Sequence, residues 1–126
     1  MTNPAKVAAG YLASFATGDP ERIAAWVGED FINHHTSALG SSCQGRTAYR
    51  ERLPGFLNEF NGLTYQLLDT ITEQDRVAVS YLMRADHHGS PIEIEGAFHL
   101  TISDGLISQR TDYFDSLTFL QQIGQQ

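Results

Sequence analysis

The chain has 126 residues, 41% of them hydrophobic and 18% charged, with 8 Lys and Arg against 15 Asp and Glu for a formal charge of −7. That length suits one α+β domain over residues 1–126, with enough apolar content for a real core and too much for a disordered chain. The acidic balance excludes a nucleic-acid backbone as partner, and the single cysteine, Cys43, excludes an internal disulfide and a cysteine-based zinc site.

Asn3-Pro4 joins a good N-cap to a good first helical residue and opens a first helix. Its apolar stripe is Val7, Ala8, Tyr11, Leu12 and Phe15, and Gly18 ends it. Asp19-Pro20 repeats the signal for a short second helix carrying Ile23, Ala24, Trp26 and Val27, with Gly28 as its stop. Residues 30–37 are polar and rich in histidine, anchored by Phe31 and Ile32, and read as a brief strand entering a loop over 38–45. Residues 46–60 read as a third helix with Leu53, Phe56, Leu57 and Phe60 on one side. Pro54 lacks a backbone donor and is expected to kink or split it, and Asn61-Gly62 to stop it. The basic group Arg46, Arg50 and Arg52, interrupted by Glu51, reads as a solvated face of this helix.

From Leu63 the period changes. Residues 63–72, 77–86, 92–102 and 106–114 read as four consecutive strands, joined by links suited to hairpins. The third alternates, with Ile92, Ile94, Phe98, Leu100 and Ile102 on one face and Glu93, Glu95, His99 and Thr101 on the other. Gly96 within it predicts a bulge or bend. Residues 117–123 form a short helical tail. Helices first and strands afterwards predict a curved antiparallel sheet of about four to six strands wrapped around three N-terminal helices, a cone with an internal pocket. The first residues carry no signal-peptide pattern and no stretch approaches the ~20 apolar residues of a membrane span, so a soluble cytoplasmic protein is expected.

Asp112 lies mid-strand among apolar neighbours, where an ionised carboxylate is costly unless paired. Facing a pocket, it is a general base; paired with Arg110, two residues back on the same face, it is structural. Arg84 and Asp86 also share a strand face, either as an acid held by an arginine or as a surface ion pair beside a hairpin. Asn33 is the best pocket candidate of its stretch, because the adjacent His34 and His35 point to opposite faces and cannot both serve one site. Those two, with His87 and His88, lack a metal-ligand spacing and abut polar loops, so they read as exposed and no metal is expected. Tyr11, Phe15, Trp26, Phe31, Phe56, Phe60, Phe98 and Arg110 are candidates for the pocket lining, though each aromatic serves equally as plain core. Asp115 faces away from Asp112 and caps the tail helix. Serine-nucleophile, phosphate-loop and dinucleotide fingerprints are absent.

Several stretches occur in a telling order: Phe31-Ile32-Asn33-His34, Gly45-Arg46, Asp75-Arg76-Val77-Ala78-Val79, Asp104-Gly105-Leu106-Ile107, Asp112-Tyr113-Phe114-Asp115 and residues 117–124. Together they resemble the nuclear-transport-factor-like fold, in particular its SnoaL-like branch of polyketide cyclases. Residues 96–101, Gly105 and residues 111–115 also resemble limonene-epoxide hydrolase, a family of the same fold. The resemblance implies a small apolar oxygenated substrate, no cofactor, a homodimer through the exposed sheet face, and a pocket carboxylate that activates water. It puts Asp112 at the position of the base and Asn33 at that of the water-holding asparagine, with Phe31 where the hydrolase family has tyrosine. Strict strand alignment sets Leu82 and Arg84 at the family's Arg-x-Asp pair, and a two-residue shift sets Arg84 and Asp86 there. The expectation is a cofactor-free enzyme working by general acid–base catalysis from Asp112, of cyclase or epoxide-hydrolase type. A ketosteroid-isomerase-like double-bond isomerase and a non-catalytic ligand-binding or assembly module of the same fold are the alternatives.

Overall fold

In the computed structural model, which describes residues 3–35 and 42–124, both cap-and-proline signals start helices. Asn3 Oδ1 accepts from the Ala5 amide at 2.9 Å and opens α1 (Pro4–Ser14). A single 3-10 turn, Phe15–Thr17, carries it to Gly18, whose left-handed φ of 65° reverses the chain. Asp19 Oδ1 accepts from the Glu21 amide at 3.0 Å and opens α2 (Pro20–Ala24). This helix ends earlier than its apolar pattern predicts. Val27 and Gly28 belong instead to β1 (Val27–His35), which joins the sheet beside Ile107, whose amide donates to the Trp26 carbonyl at 2.9 Å. Sheet pairing here overrides helical periodicity.

The loop expected over residues 38–45 lies partly outside the described residues. Its described end forms β2 (Cys43–Gln44), a two-residue edge strand antiparallel to β1. Next comes α3 (Arg46–Glu59), which runs through the exposed Pro54 as one helix. The remaining elements are β3 (Phe60–Glu73), β4 (Arg76–His87), β5 (Ser90–Ser103), β6 (Leu106–Phe114) and α4 (Ser116–Gln122). Asn61-Gly62 is no stop: Gly62 takes a φ of 66° and the register against β4 shifts between Asn61 and Thr64, so the pair forms a bulge near the start of β3. Asp115 caps α4 as expected, its Oδ1 accepting from the Thr118 amide at 3.0 Å.

The six strands form one sheet in the order β2-β1-β6-β5-β4-β3. Every pairing is antiparallel except β1 with β6, which is parallel, so the sheet is mixed rather than antiparallel throughout. Gly96 is also not a bulge: it pairs in unbroken register with Tyr81 on one side and Phe114 on the other. A Cβ at Gly96 would come within 2.3 Å of the Tyr81 hydroxyl, so its missing side chain makes room for that phenol.

Val7, Tyr11 and Leu12 of α1 and Phe15 of the turn after it are buried in one core with Val79, Tyr81, Ile94, Phe98, Leu100 and Ile107. Burying each such side chain is worth about 1.5–3 kcal/mol, which anchors α1 on the concave face of the sheet. The outward-facing Glu93, Glu95 and His99 are exposed, as the alternation predicts. Among the described residues, no helix is long and apolar enough to cross a membrane.

Candidate active site

The inward positions of β1 are Phe31, Asn33 and His35, alternating with the exposed Ile32 and His34. Parallel pairing sets Asn33 against Arg110 and His35 against Asp112. From the other side Tyr81 reaches across Gly96, and its hydroxyl donates to Asp112 Oδ1 at 2.9 Å. His35 Nε2 lies 3.2 Å from the second carboxylate oxygen. A buried carboxylate, 6% exposed, is thereby met at both oxygens.

Arg110 is equally buried, at 7% exposure. Its Nε donates to Asn33 Oδ1 at 3.0 Å and its Nη1 to the Tyr11 hydroxyl at 2.5 Å. The Tyr11 and Tyr49 hydroxyls are themselves 2.5 Å apart. The guanidinium carbon sits 4.9 Å from the Phe98 ring centroid, an aromatic face that favours a desolvated cation. Desolvation alone would pull the Arg110 pKa down, but Tyr11, Tyr49 and Asp112 outweigh it and hold the pKa above the usual arginine range. The buried guanidinium keeps its charge. Burial raises the pKa of Tyr11, Tyr49, Tyr65 and Tyr81 above the usual phenol value, and the Asp112 charge raises Tyr65 and Tyr81 further. These phenols stay protonated and act as donors.

The polar residues Asn33, His35, Tyr49, Arg110 and Asp112 face a cavity of about 720 Å³. Its apolar walls are Phe15, Phe56, Phe60, Tyr65, Met83 and Phe114, and α4 adds Phe119 and Leu120. The exposed Glu51, Arg52 and Glu59 mark its rim. An apolar concavity with a few convergent polar groups is the usual form of a small-molecule site. Among the described residues no group of three or more His, Cys, Asp and Glu is placed to hold a metal ion.

Of the residues singled out in the sequence, Asp112, Asn33 and Arg110 converge here, and Phe15, Phe56 and Phe60 line the walls. Tyr11, Phe31 and Phe98 stand behind the polar groups: Tyr11 bonds Arg110, Phe98 lies against the guanidinium, and the Phe31 ring is 4.9 Å from that of Tyr49. Trp26 does not join them. Its ring covers Gly10 of α1, where a Cβ would come within 2.2 Å of it, because α2 ends before Trp26 and the chain turns into β1. Arg84 and Asp86 do not join either. Tyr81 and Met83 hold the inward positions of β4, so Arg84 and Asp86 are exposed and the two-residue shift is not realised. Arg84 Nε donates to Glu93 Oε2 at 2.9 Å, a surface pair. The Arg-x-Asp spacing occurs on β6 instead, as Arg110 and Asp112.

Sequence reasoning missed His35, Tyr49 and Tyr81. The period-2 alternation that turns Asn33 inward turns His35 inward too, so that signal was present. Tyr49 falls four residues before Leu53 on the apolar stripe of α3 and was legible there as a buried position. Tyr81 was not: only the pairing of three strands brings it to Asp112.

The α+β cone with its enclosed polar cluster defines a protein of the nuclear-transport-factor-like class. Residues 8–110 match the family model of the SnoaL-like domain, and the chain belongs to that family. Among solved structures it is similar to a protein of ketosteroid-isomerase-like fold from Catenulispora acidiphila, in complex with trimethylamine, at 16% identity and a TM-score of 0.88 over 100% of this chain and 96% of that one. It is also similar to IdmH, a proposed polyketide cyclase from Streptomyces antibioticus, at 22% identity and a TM-score of 0.83 over 97% of this chain and 99% of that one. AclR, a proposed hydroxylase from Streptomyces galilaeus, aligns at 17% identity and a TM-score of 0.80 over 96% of this chain and 80% of that one. At these identities the likeness is one of fold. No curated protein matches the chain in sequence.

Proposed function

We propose that this protein is a cofactor-free acid–base enzyme acting on a small apolar molecule with a carbonyl group, and that Asp112 is its base. The observation that carries this reading is a buried carboxylate and a buried guanidinium, two residues apart on one face of β6, both facing an apolar cavity of about 720 Å³. Asp112, with His35 at its second oxygen, takes a proton from the carbon next to the carbonyl. Negative charge then develops on the carbonyl oxygen, where the fixed charge of Arg110 favours it. The enolate carbon attacks a second carbonyl within the molecule, closing a ring as that carbonyl's π pair moves to its oxygen and takes the proton back from Asp112, or Asp112 returns the proton to another carbon, moving a double bond. Ring closure is the preferred reading, given the family and the likeness to a proposed cyclase. Epoxide hydrolysis is less favoured because Arg84 and Asp86, its expected acid pair, are exposed on the outer face.

Asp112→Asn tests the reading. Turnover of polyketide-like β-keto esters or enones is expected to fall at least about 100-fold, the scale of a lost general base. The amide keeps an acceptor for Tyr81, so the melting temperature should change little. An active Asn variant would refute the role of Asp112, and a wild-type protein inert toward β-keto esters, enones and epoxides alike would favour a ligand-binding module.

A further inference from the structure

Among the described residues, the polar lining of the cavity outside the Asp112 cluster is Glu51, Arg52, Glu59 and His87. The first three are exposed, whereas the His87 side chain is only 14% exposed. The sequence reads His87 as an exposed loop histidine, but β4 runs through it. The alternation turns Tyr81, Met83, Ala85 and His87 inward while Arg84 and Asp86 stay exposed. The His87 ring packs 5.0 Å from that of Phe119 and 5.3 Å from that of Phe60. Two elements set it far from Asp112. On β4, in unbroken register with β5, His87 lies about 20 Å of strand beyond Tyr81, the donor to Asp112. On α3, Glu59 lies about 15 Å of helix beyond Tyr49, whose ring is beside Arg110. Met83 on the strand and Leu53 and Phe56 on the helix come between, so an apolar middle separates two polar ends. At the far end His87 Nε2 and Glu59 Oε1 are 3.2 Å apart. An exposed carboxylate only accepts, so Nε2 donates to it, and Nδ1 bonds none of the described residues. An uncharged ring offers a lone pair at Nδ1 and a charged ring a second N–H. A hydroxyl group serves either, because it both donates and accepts, whereas a carbonyl or ether serves only the charged ring.

We propose that His87, oriented by Glu59, is a distal subsite that holds a hydroxyl group at the end of the substrate remote from its reacting carbonyl. The substrate is then an elongated apolar molecule with polar groups at both ends. This rests on reading the Asp112 end as the reacting end, but binding tests it without turnover. The probes are 1-alkanols and α,ω-alkanediols of matched chain length, from hexane to tetradecane, titrated by calorimetry. In an apolar cavity a hydroxyl without a partner weakens binding, so the ratio of diol to alkanol affinity reads whether the second hydroxyl finds one. In wild type this ratio is expected to peak at the chain length that spans from the Asp112 cluster to His87. His87→Phe keeps a ring against Phe60 and Phe119 and removes both nitrogens. It should lower the ratio at the peak about tenfold, the scale of a buried hydroxyl left unpaired, and leave alkanol affinity unchanged. Glu59→Gln, which keeps an acceptor for Nε2, should preserve the peak. An unchanged peak in His87→Phe would overturn the proposal. A peak lost as fully in Glu59→Gln as in His87→Phe would make the carboxylate the contact and overturn it too. Should His87→Phe fail to fold, wild type alone decides, because a ratio without a peak removes the subsite. Asp112→Asn separates the two readings. Full turnover in that variant sinks the base and leaves the subsite, whereas a flat ratio in wild type with turnover lost in Asp112→Asn sinks the subsite and leaves the base.

Discussion

Asp112 and Arg110 are neighbours on one strand face, and the simplest expectation was that they pair with each other. Their charges do interact, but the hydrogen bonds that fix them come from elsewhere: Tyr81 and His35 for the carboxylate, Asn33 and Tyr11 for the guanidinium. Each group is thus oriented by the scaffold and presents itself to the cavity. The arrangement depends on a residue with no side chain. A Cβ at Gly96 would lie 2.3 Å from the Tyr81 hydroxyl and 2.8 Å from the Tyr113 carbonyl oxygen. The phenol can swing away, but the backbone oxygen cannot, so Gly96→Ala is expected to cost about 1–3 kcal/mol in denaturant unfolding, the range for overpacking. It should also lower turnover by displacing the donor to Asp112. A variant as stable and active as wild type would remove Gly96 from the account. In the sequence Gly96 stood out, but as a bend, because a lone glycine in a strand signals either a bulge or a close approach and only the neighbour decides which. Asp112 and Asn33 were legible from strand position, whereas Arg84 was misplaced by a register that no local pattern sets.

At the scale of elements, periodicity located both long helices and all four C-terminal strands to within a few residues. It failed where pairing partners lie far apart in the chain. The parallel contact of β1 with β6 joins residues 27–35 to residues 107–112, and it draws Val27 out of the helical pattern and His35 into the site. The tail helix α4 is held by a similar non-local device. Gln122 Nε2 donates to the Glu93 carbonyl, and Gln122 Oε1 accepts from the Glu93 amide, both at 2.7 Å. One side chain thus mimics a strand partner on β5 and holds α4 so that Phe119 and Leu120 wall the cavity. Gln122→Ala removes both bonds, at a cost of about 1–3 kcal/mol. The amides of α4 should then exchange with deuterium faster than those of α1, and KM should rise more than kcat falls. Unchanged exchange in α4 would show that its apolar contacts suffice.

For the molecule as a whole, the same buried phenols that serve the site set its tolerance of alkali. Tyr11, Tyr49, Tyr65 and Tyr81 all have pKa values raised above the ordinary 10.0, in each case first by burial. In the unfolded chain these groups lose their protons near the ordinary value, while the folded protein still holds them. Above that pH the folded state therefore carries more protons than the unfolded state, and stability falls as pH rises. The contribution is fully present below pH 10 and declines above it, by about 1.4 kcal/mol per pH unit for each tyrosine. Four such groups together give a slope of about 5.6 kcal/mol per pH unit, enough to exhaust the stability of an ordinary domain within a few units. Urea unfolding of a Tyr113→Phe variant, which removes the exposed tyrosine, should show that slope across this range, with tyrosinate absorbance appearing together with unfolding rather than before it. Tyr65→Phe, which removes one of the four and no hydrogen bond assigned to the site, should make the slope shallower by about 1.4 kcal/mol per pH unit. Tyrosinate that forms well before unfolding would mean the cluster is open to water, and with it the closed environment that keeps Arg110 and Asp112 in place.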